Sequence, residues 1–164
     1  MLLEDSLRAI DLVRAHPGPV VDVGSGGGAP GIPLAYALHD REFVLVEAEQ
    51  RKCDFLERWV PSNGRAVWGR AEEQQTDWAG VALAKALATP PVAAEWCLPL
   101  VRPGGIAILW VGESAEPDPV AAVAEQLAAE LVDGPPGLYV LRKLRPTPEG
   151  FPRRTGVAKK RPLA

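Results

Sequence analysis

Cysteine and histidine are scarce in this chain of 164 residues, and their placement excludes several chemistries. Cys53 and Cys97 stand far apart, and His16 and His39 sit in no cluster. They offer no metal-ligand spacing and no disulfide framework. The same scarcity leaves no Ser/His/Asp or Cys/His arrangement for nucleophilic catalysis. Both cysteines read as small apolar fillers, and the chain reads as a reduced, cytoplasmic protein. Nowhere does an apolar run approach the roughly 20 residues of a membrane span. The opening MLLEDSLRAIDLVRAH is acidic and amphipathic, unlike a signal peptide. Internal repeats and low-complexity tracts are lacking too. The length suits a single domain over 1–164 with room for a core.

Glycine and proline, in contrast, are plentiful, at 16 and 17 residues. They gather in VVDVGSGGGAPGIPLA, residues 20–35. Val20 to Val23 is a short apolar run of the kind that forms a buried strand. A glycine cluster follows, then Pro30, which suits the first turn of a helix. Strand, glycine turn and helix start make the layout of a nucleotide-cofactor site.

Gly24, Gly26 and Ala29 satisfy the dinucleotide pattern G-x-G-x-x-G/A. Two carboxylates point elsewhere. Asp22, just before the turn, would repel a pyrophosphate and suits an ammonium. Glu47, closing the run Phe43 to Val46, is placed to bind both hydroxyls of a ribose. S-adenosylmethionine (SAM) has a nucleoside, an ammonium and no phosphate. The expected SAM contacts are Asp22, Gly24, Ser25, Gly26, Gly28, Ala29 and Glu47. The plainer alternative is a glycine turn that only packs a helix on a strand.

Charge is unevenly distributed. From Arg142 to Ala164 eight basic residues face Glu149 alone, a net +7; residues 1–141 therefore carry −10 of the whole-chain −3. An acidic body with a basic strand and tail over 142–164 fits contact with a polyanion along one edge. Arg153 and Arg154 are the expected phosphate ligands. A tail that only aids solubility is the alternative.

In chain order, the pattern predicts an N-terminal helix within 1–16, over residues 4–15. Strands are predicted at Val20–Val23, Arg41–Val46, Ala66–Trp68, Val81–Ala84, Ile106–Val111 and Leu138–Lys143. Helices are predicted at Pro30–Leu38, Glu49–Val60, Thr89–Leu100 and Glu116–Leu131. Arg102-Pro103-Gly104-Gly105 reads as a turn. Most of the five tryptophans read as packing residues, with Trp110 near the site edge as a candidate for base stacking. Alternating strands and helices make the class α/β with a mostly parallel sheet.

Taken together, these stretches resemble the RsmG (GidB) family, bacterial methyltransferases acting on 16S ribosomal RNA. Asp5-Ser6-Leu7 matches its DSL start, and Asp22 to Ala35 its DVGSGxGxPGIPLA signature. Glu47, Arg51-Lys52 and Phe55-Leu56 match its acidic residue, basic pair and FL. Gly69 to Glu73 matches GRxEE, and Trp96-Cys97 the W-C pair. Phe151-Pro152-Arg153, Gly156 and Pro162-Leu163 match its tail.

The resemblance implies the SAM-dependent methyltransferase (Rossmann-like) fold: a mostly parallel seven-stranded sheet with helices on both faces and its last strand antiparallel. It implies SAM as cofactor, with contacts at Gly24, Ala29, Ala71 and Glu72. It also implies methyl transfer to guanine N7, with 16S rRNA or the 30S subunit as partner and neither a membrane nor a metal. Lys85 stands where the family has an arginine touching cofactor or acceptor, and is the candidate catalytic and cofactor-contacting cation. Lysine lacks the planar fork of that arginine. Val111 stands where the family has a lysine, and the family's helical lobe ahead of DSL has no counterpart before Asp5. A SAM-binding paralogue without rRNA activity and a small-molecule methyltransferase are the competing readings.

Overall fold

The computed structural model describes residues 2–164. Two short helices, α1 (Leu2–Leu7) and α2 (Ile10–Ala15), replace the single helix expected over 4–15. Between them Ala9 sits at φ −90°, ψ 0° and is fully buried. The chain bends there to place Ala9 and Val13 in the core.

Next come β1 (Val20–Val23), α3 (Gly31–Ala37), β2 (Phe43–Glu47), α4 (Gln50–Trp59) and β3 (Gly64–Trp68). A 3₁₀ turn over Ala71–Glu73 leads to β4 (Ala79–Lys85). The second half holds α5 (Pro90–Cys97), β5 (Val101–Trp110), α6 (Pro117–Gln126), β6 (Ala129–Val132), β7 (Leu138–Lys143) and α7 (Val157–Lys160).

The sheet has seven strands in the order β3-β2-β1-β4-β5-β7-β6. All neighbours are parallel except β7, which runs antiparallel to both β5 and β6. Every residue of β1 and β2 is buried, as expected of strands covered on both faces. Alternation along the strands divides the core in two. Val20, Phe43, Leu45, Val81, Leu83, Ile106 and Ile108 pack with residues of α2, α3 and α4. Val21, Val23, Val44, Val46, Ala82, Ala84 and Leu109 pack with residues of α5 and α6.

Two expectations are corrected here. The alanine-rich segment 116–131 is not one helix. It stops at Gln126, Ala128 takes φ +58°, and Ala129–Val132 becomes β6. Pairing of β6 with β7 overrides the helical propensity of its alanine and leucine. Ala128 also accepts the Leu144 amide at 2.8 Å, closing the end of that ladder.

The other correction concerns Arg102–Gly105, which lies inside β5 as an irregularity rather than a turn ahead of it. Ala79 pairs with Val101 and Val81 with Ile106, so the intervening β5 residues loop out opposite Gly80. Of the five tryptophans, most of which were expected to pack, Trp59 and Trp68 are 54% and 61% exposed.

Strand order reverses between β1 and β4, since the chain winds outward from each in opposite directions. In open α/β sheets the crevice beyond the carboxyl ends at that point receives ligands.

Candidate active site

At that switch point lies a cavity of about 390 Å³, a size suited to a small-molecule ligand. The loop after β1 forms its floor. Gly24 and Ser25 donate their amides to the Val46 carbonyl at 2.9 and 3.2 Å, tying this loop to the end of β2. Gly24 has φ +67°, and a Cβ there would come within 2.1 Å of the Leu87 side chain. Leu87 is part of the cavity wall, so only glycine lets that wall close.

Glu47 ends β2 and is 7% exposed. Its Oε1 accepts the Gly26 amide at 2.9 Å and its Oε2 accepts the Glu49 amide at 2.8 Å. One carboxylate thus joins the glycine loop to the start of α4 while lining the cavity.

Of the ten expected cofactor contacts, eight line this cavity: Gly24, Ser25, Gly26, Ala29, Glu47, Ala71, Glu72 and Lys85. Asp22 and Gly28 do not. Gly28 sits under the loop, donating to the Ser25 carbonyl at 2.7 Å.

Asp22 lies within β1 as expected, but its side chain does not point to the turn. The pleat sends its side chain to the same face as Val20, beneath α3. There its Oδ2 accepts the Gly31 amide at 2.9 Å, and a Cβ on Gly31 would come within 2.5 Å of that oxygen. Its Oδ1 is buried with no hydrogen-bond partner among the described residues. Burial pushes the Asp22 carboxyl up to about 7, against the opposing pull of the Gly31 amide and Ser25.

Lys85 ends β4, and its Nζ lies 2.7 Å from Asp5 Oδ2. Contact with the Lys85 ammonium, and then with Arg8, holds the Asp5 carboxyl below its ordinary value. Trp96, on α5, was legible as half of the W-C pair but read as packing. It lines the cavity, and its buried indole N–H meets no acceptor among the described residues. Lys52, noted in the sequence only as part of the family's basic pair, also lines the wall, as do Arg70, inside the GRxEE stretch, and Leu87.

The tail is docked rather than free. Lys143 is fully buried, donating to the Leu98 and Val101 carbonyls at 2.7 and 2.9 Å and pairing with Asp77 at 3.1 Å. Burial lowers its ammonium pKa, with Asp77 acting in the opposite sense. Arg153 makes a two-pronged bond to Glu95, at 2.5 and 2.7 Å, and donates to the Arg161 carbonyl at 2.9 Å. Glu95 is only 3% exposed. Arg153 is therefore committed to an internal partner, which departs from its expected role as a phosphate ligand. Arg154 remains exposed, with Arg145, Lys159, Lys160 and Arg161. Finally the Gly156 amide donates to Glu72 Oε2 at 3.1 Å, joining the tail to the cavity wall.

Which ligand fits this floor can be read from its amides. Those of Gly24, Ser25, Gly26 and Gly28 are already bonded within the chain. None of these four is available to cradle a pyrophosphate, the task of such a loop in dinucleotide sites. Beyond Gly26 the nearest atom to an added Cβ is 3.8 Å away, and beyond Gly27 nothing lies within 4 Å, so the space over the loop is open. Glu47 and Glu72 bring carboxylates to a wall that also holds Lys52, Arg70 and Lys85, and the Trp96 N–H awaits an acceptor. A nucleoside that carries charges of both signs and no phosphate meets these conditions, and SAM, with its ammonium, sulfonium and carboxylate, is such a molecule.

Known structures agree. A TehB-like SAM-dependent methyltransferase from Corynebacterium glutamicum superposes with a TM-score of 0.65, at 19% identity, over 84% of this chain and 86% of that one. The M. jannaschii TYW2 in complex with AdoMet gives 0.67, at 16% identity, over 85% and 72%. At such identities the likeness establishes the fold, which is that of the SAM-dependent methyltransferases.

Sequence relatives narrow the class. Residues 1–132 match the profile of the GidB family, rRNA small subunit methyltransferase G. The ribosomal RNA small subunit methyltransferase G of Synechococcus sp. (strain JA-2-3B'a(2-13)) is 36% identical, over 98% of this chain and 72% of that protein. Its namesake from Rubrobacter xylanophilus is 36% identical over 99% and 73%. The chain belongs to the rRNA small subunit methyltransferase G family.

Proposed function

We propose that this protein transfers a methyl group from SAM to N7 of a guanine in 16S rRNA, with the small ribosomal subunit as its partner in the cytoplasm, and that residues 1–164 act as one catalytic domain. The observation that carries the reading is the link between tail and cavity. Glu72, in the cavity wall, holds the Gly156 amide, so the exposed cations of the tail are tethered to the site. An RNA backbone lying along Arg154, Lys159, Lys160 and Arg161 is then neutralised next to the cavity. Neither competing reading has a feature of its own in the structure that favours it.

SAM supplies a methyl carbon bonded to a sulfonium. The residues of this chain orient and enclose. Gly24, Gly26 and Leu87 shape the floor and wall, and Glu47, Glu72 and Trp96 supply polar contacts for the nucleoside. Guanine N7 offers a free lone pair, so no proton leaves the acceptor and no general base is needed. Alignment and exclusion of water are the remaining demands.

The test is methylation of 30S subunits purified from a strain lacking the modification, with labelled SAM and mapping of the product. Label at N7 of one 16S guanine is the expected result. SAM binding without incorporation into any RNA would indicate the binding paralogue. Activity that survives deletion of residues 145–164 would indicate a small-molecule acceptor.

A further inference from the structure

A second cavity, of about 370 Å³, adjoins the first, and Lys85 and Ala86 line both. Its other walls include Asp5, Arg8, Trp110 and Gly112. The Lys85 side chain, 16% exposed, therefore stands in the partition between the two spaces. Its Nζ makes no well-directed hydrogen bond among the described residues and has the Asp5 carboxylate as counter-ion, 2.7 Å away. An ammonium has three donors, so one counter-ion leaves capacity for a ligand.

Asp5 is itself held. Arg8 Nη1 donates to its Oδ1 at 3.1 Å, and the Trp110 indole N–H donates to its carbonyl at 3.0 Å. The first helix is in this way pinned to the ends of β4 and β5.

We propose that the second cavity receives the acceptor guanine and that Asp5 is the positioning residue for Lys85, whose ammonium donates to O6 of that base and leaves N7 open toward the cofactor cavity. The inference rests on the guanine N7 reading above. The edge of guanine that carries N7 presents two acceptors, N7 and O6, whereas adenine presents an amino donor in place of O6. A lysine fixed in the partition thus selects guanine.

Asp5 has a second effect. During transfer the N7 lone pair forms the new bond to carbon, and the electrons of the carbon–sulfur bond return to sulfur. Positive charge passes from the sulfonium to the base. A bare lysine cation beside that base would oppose the transfer, and the Asp5 carboxylate offsets it.

The test compares the chain with Asp5→Asn, Asp5→Glu, Lys85→Ala and the Asp5→Asn/Lys85→Ala pair on 30S subunits lacking the modification. Asp5→Asn and Lys85→Ala are each expected to lower kcat about tenfold or more. In Asp5→Asn affinity for S-adenosylhomocysteine should stay within about twofold, and the double variant should be no worse in kcat than the worse single one. Asp5→Glu, which keeps the charge, should recover part of the loss, and melting curves verify that each variant is folded.

Wild-type kcat in Asp5→Asn would overturn the inference, as would losses that multiply in the double variant. Should Asp5→Asn fail to fold, Lys85→Ala alone decides: unchanged kcat refutes the assignment. A wild-type chain that methylates no guanine N7 would instead overturn the reading on which the inference rests, and this one with it.

Discussion

Asp22 carries strong electrostatic tension. A fully buried carboxyl held near 7 rather than at its ordinary 3.8 keeps its proton in the folded chain over a range where the unfolded chain loses it. Below about pH 4 both states are protonated and the contribution is constant. From there up to about pH 7 stability falls by roughly 1.4 kcal/mol per pH unit, to a total of at most about 4 kcal/mol. Asp22→Asn retains an acceptor for the Gly31 amide and removes the titration. Its melting temperature should exceed that of the unaltered chain by more at pH 8 than at pH 5. Equal differences at both would show that Asp22 does not titrate as described.

Trp96 gives a complementary case. Its indole N–H meets no acceptor among the described residues, so Trp96→Phe removes a donor left open to a ligand. Calorimetry should show affinity for S-adenosylhomocysteine weakened by about 1 kcal/mol, some fivefold, the usual worth of one hydrogen bond. Folding stability should change little by comparison; unchanged affinity would place the N–H away from the ligand.

Among the elements, the strap from Lys143 to Lys160 is the one whose attachments are most specific. It begins at Asp77, which bonds Lys143 and Thr147 ahead of β4. It then crosses α5 at the Glu95–Arg153 pair and reaches Glu72 beyond the end of β3. Glu95→Ala leaves Arg153 without its partner. Breaking a buried pair costs about 3–5 kcal/mol, but Arg153 is partly exposed, so a loss nearer 1–2 kcal/mol is expected. Trypsin should then cut at Arg153 and Arg154 well before it cuts the unaltered chain. Equal digestion rates would show that Glu95 does not hold the strap.

How much of this was legible depends on the range of the forces involved. The bounds of β1 and β7 were readable residue for residue, because a short apolar run flanked by glycine and proline is a local signal. β6 was hidden, since Ala129 and its neighbours favour a helix and only β7 makes them a strand. The glycine loop, Glu47, Ala71, Glu72 and Lys85 were found by motif, and the fold brings them to one cavity. Asp22 was assigned a direction that the pleat reverses. The commitments of Lys143 and Arg153 were out of reach because Asp77 and Glu95 lie 66 and 58 residues away in sequence.

At the scale of the whole molecule, the tail charge is smaller in effect than its count suggests. Of its eight basic residues, Arg142, Lys143 and Arg153 pair with Glu130, Asp77 and Glu95. Arg145, Arg154, Lys159, Lys160 and Arg161 are exposed, and on the proposed function they are the cations available to the RNA backbone. Binding to rRNA should weaken steeply with salt. Replacing Arg154 and Lys160 together should flatten the slope of log K against log salt by about 2, less any contact that forms only transiently. A slope unaffected by that replacement would remove this surface from the interface.

The bond from the Gly156 amide to Glu72 has a thermodynamic corollary. One side chain lines the cavity and anchors the tail, so on the proposed function binding of cofactor and binding of RNA are not independent. Whatever free energy an occupied cavity lends to the seated strap must return as tighter retention of the cofactor once RNA is engaged, because linkage is reciprocal. Glu72→Gln, which loosens the anchor while keeping the shape of the wall, should uncouple the two titrations.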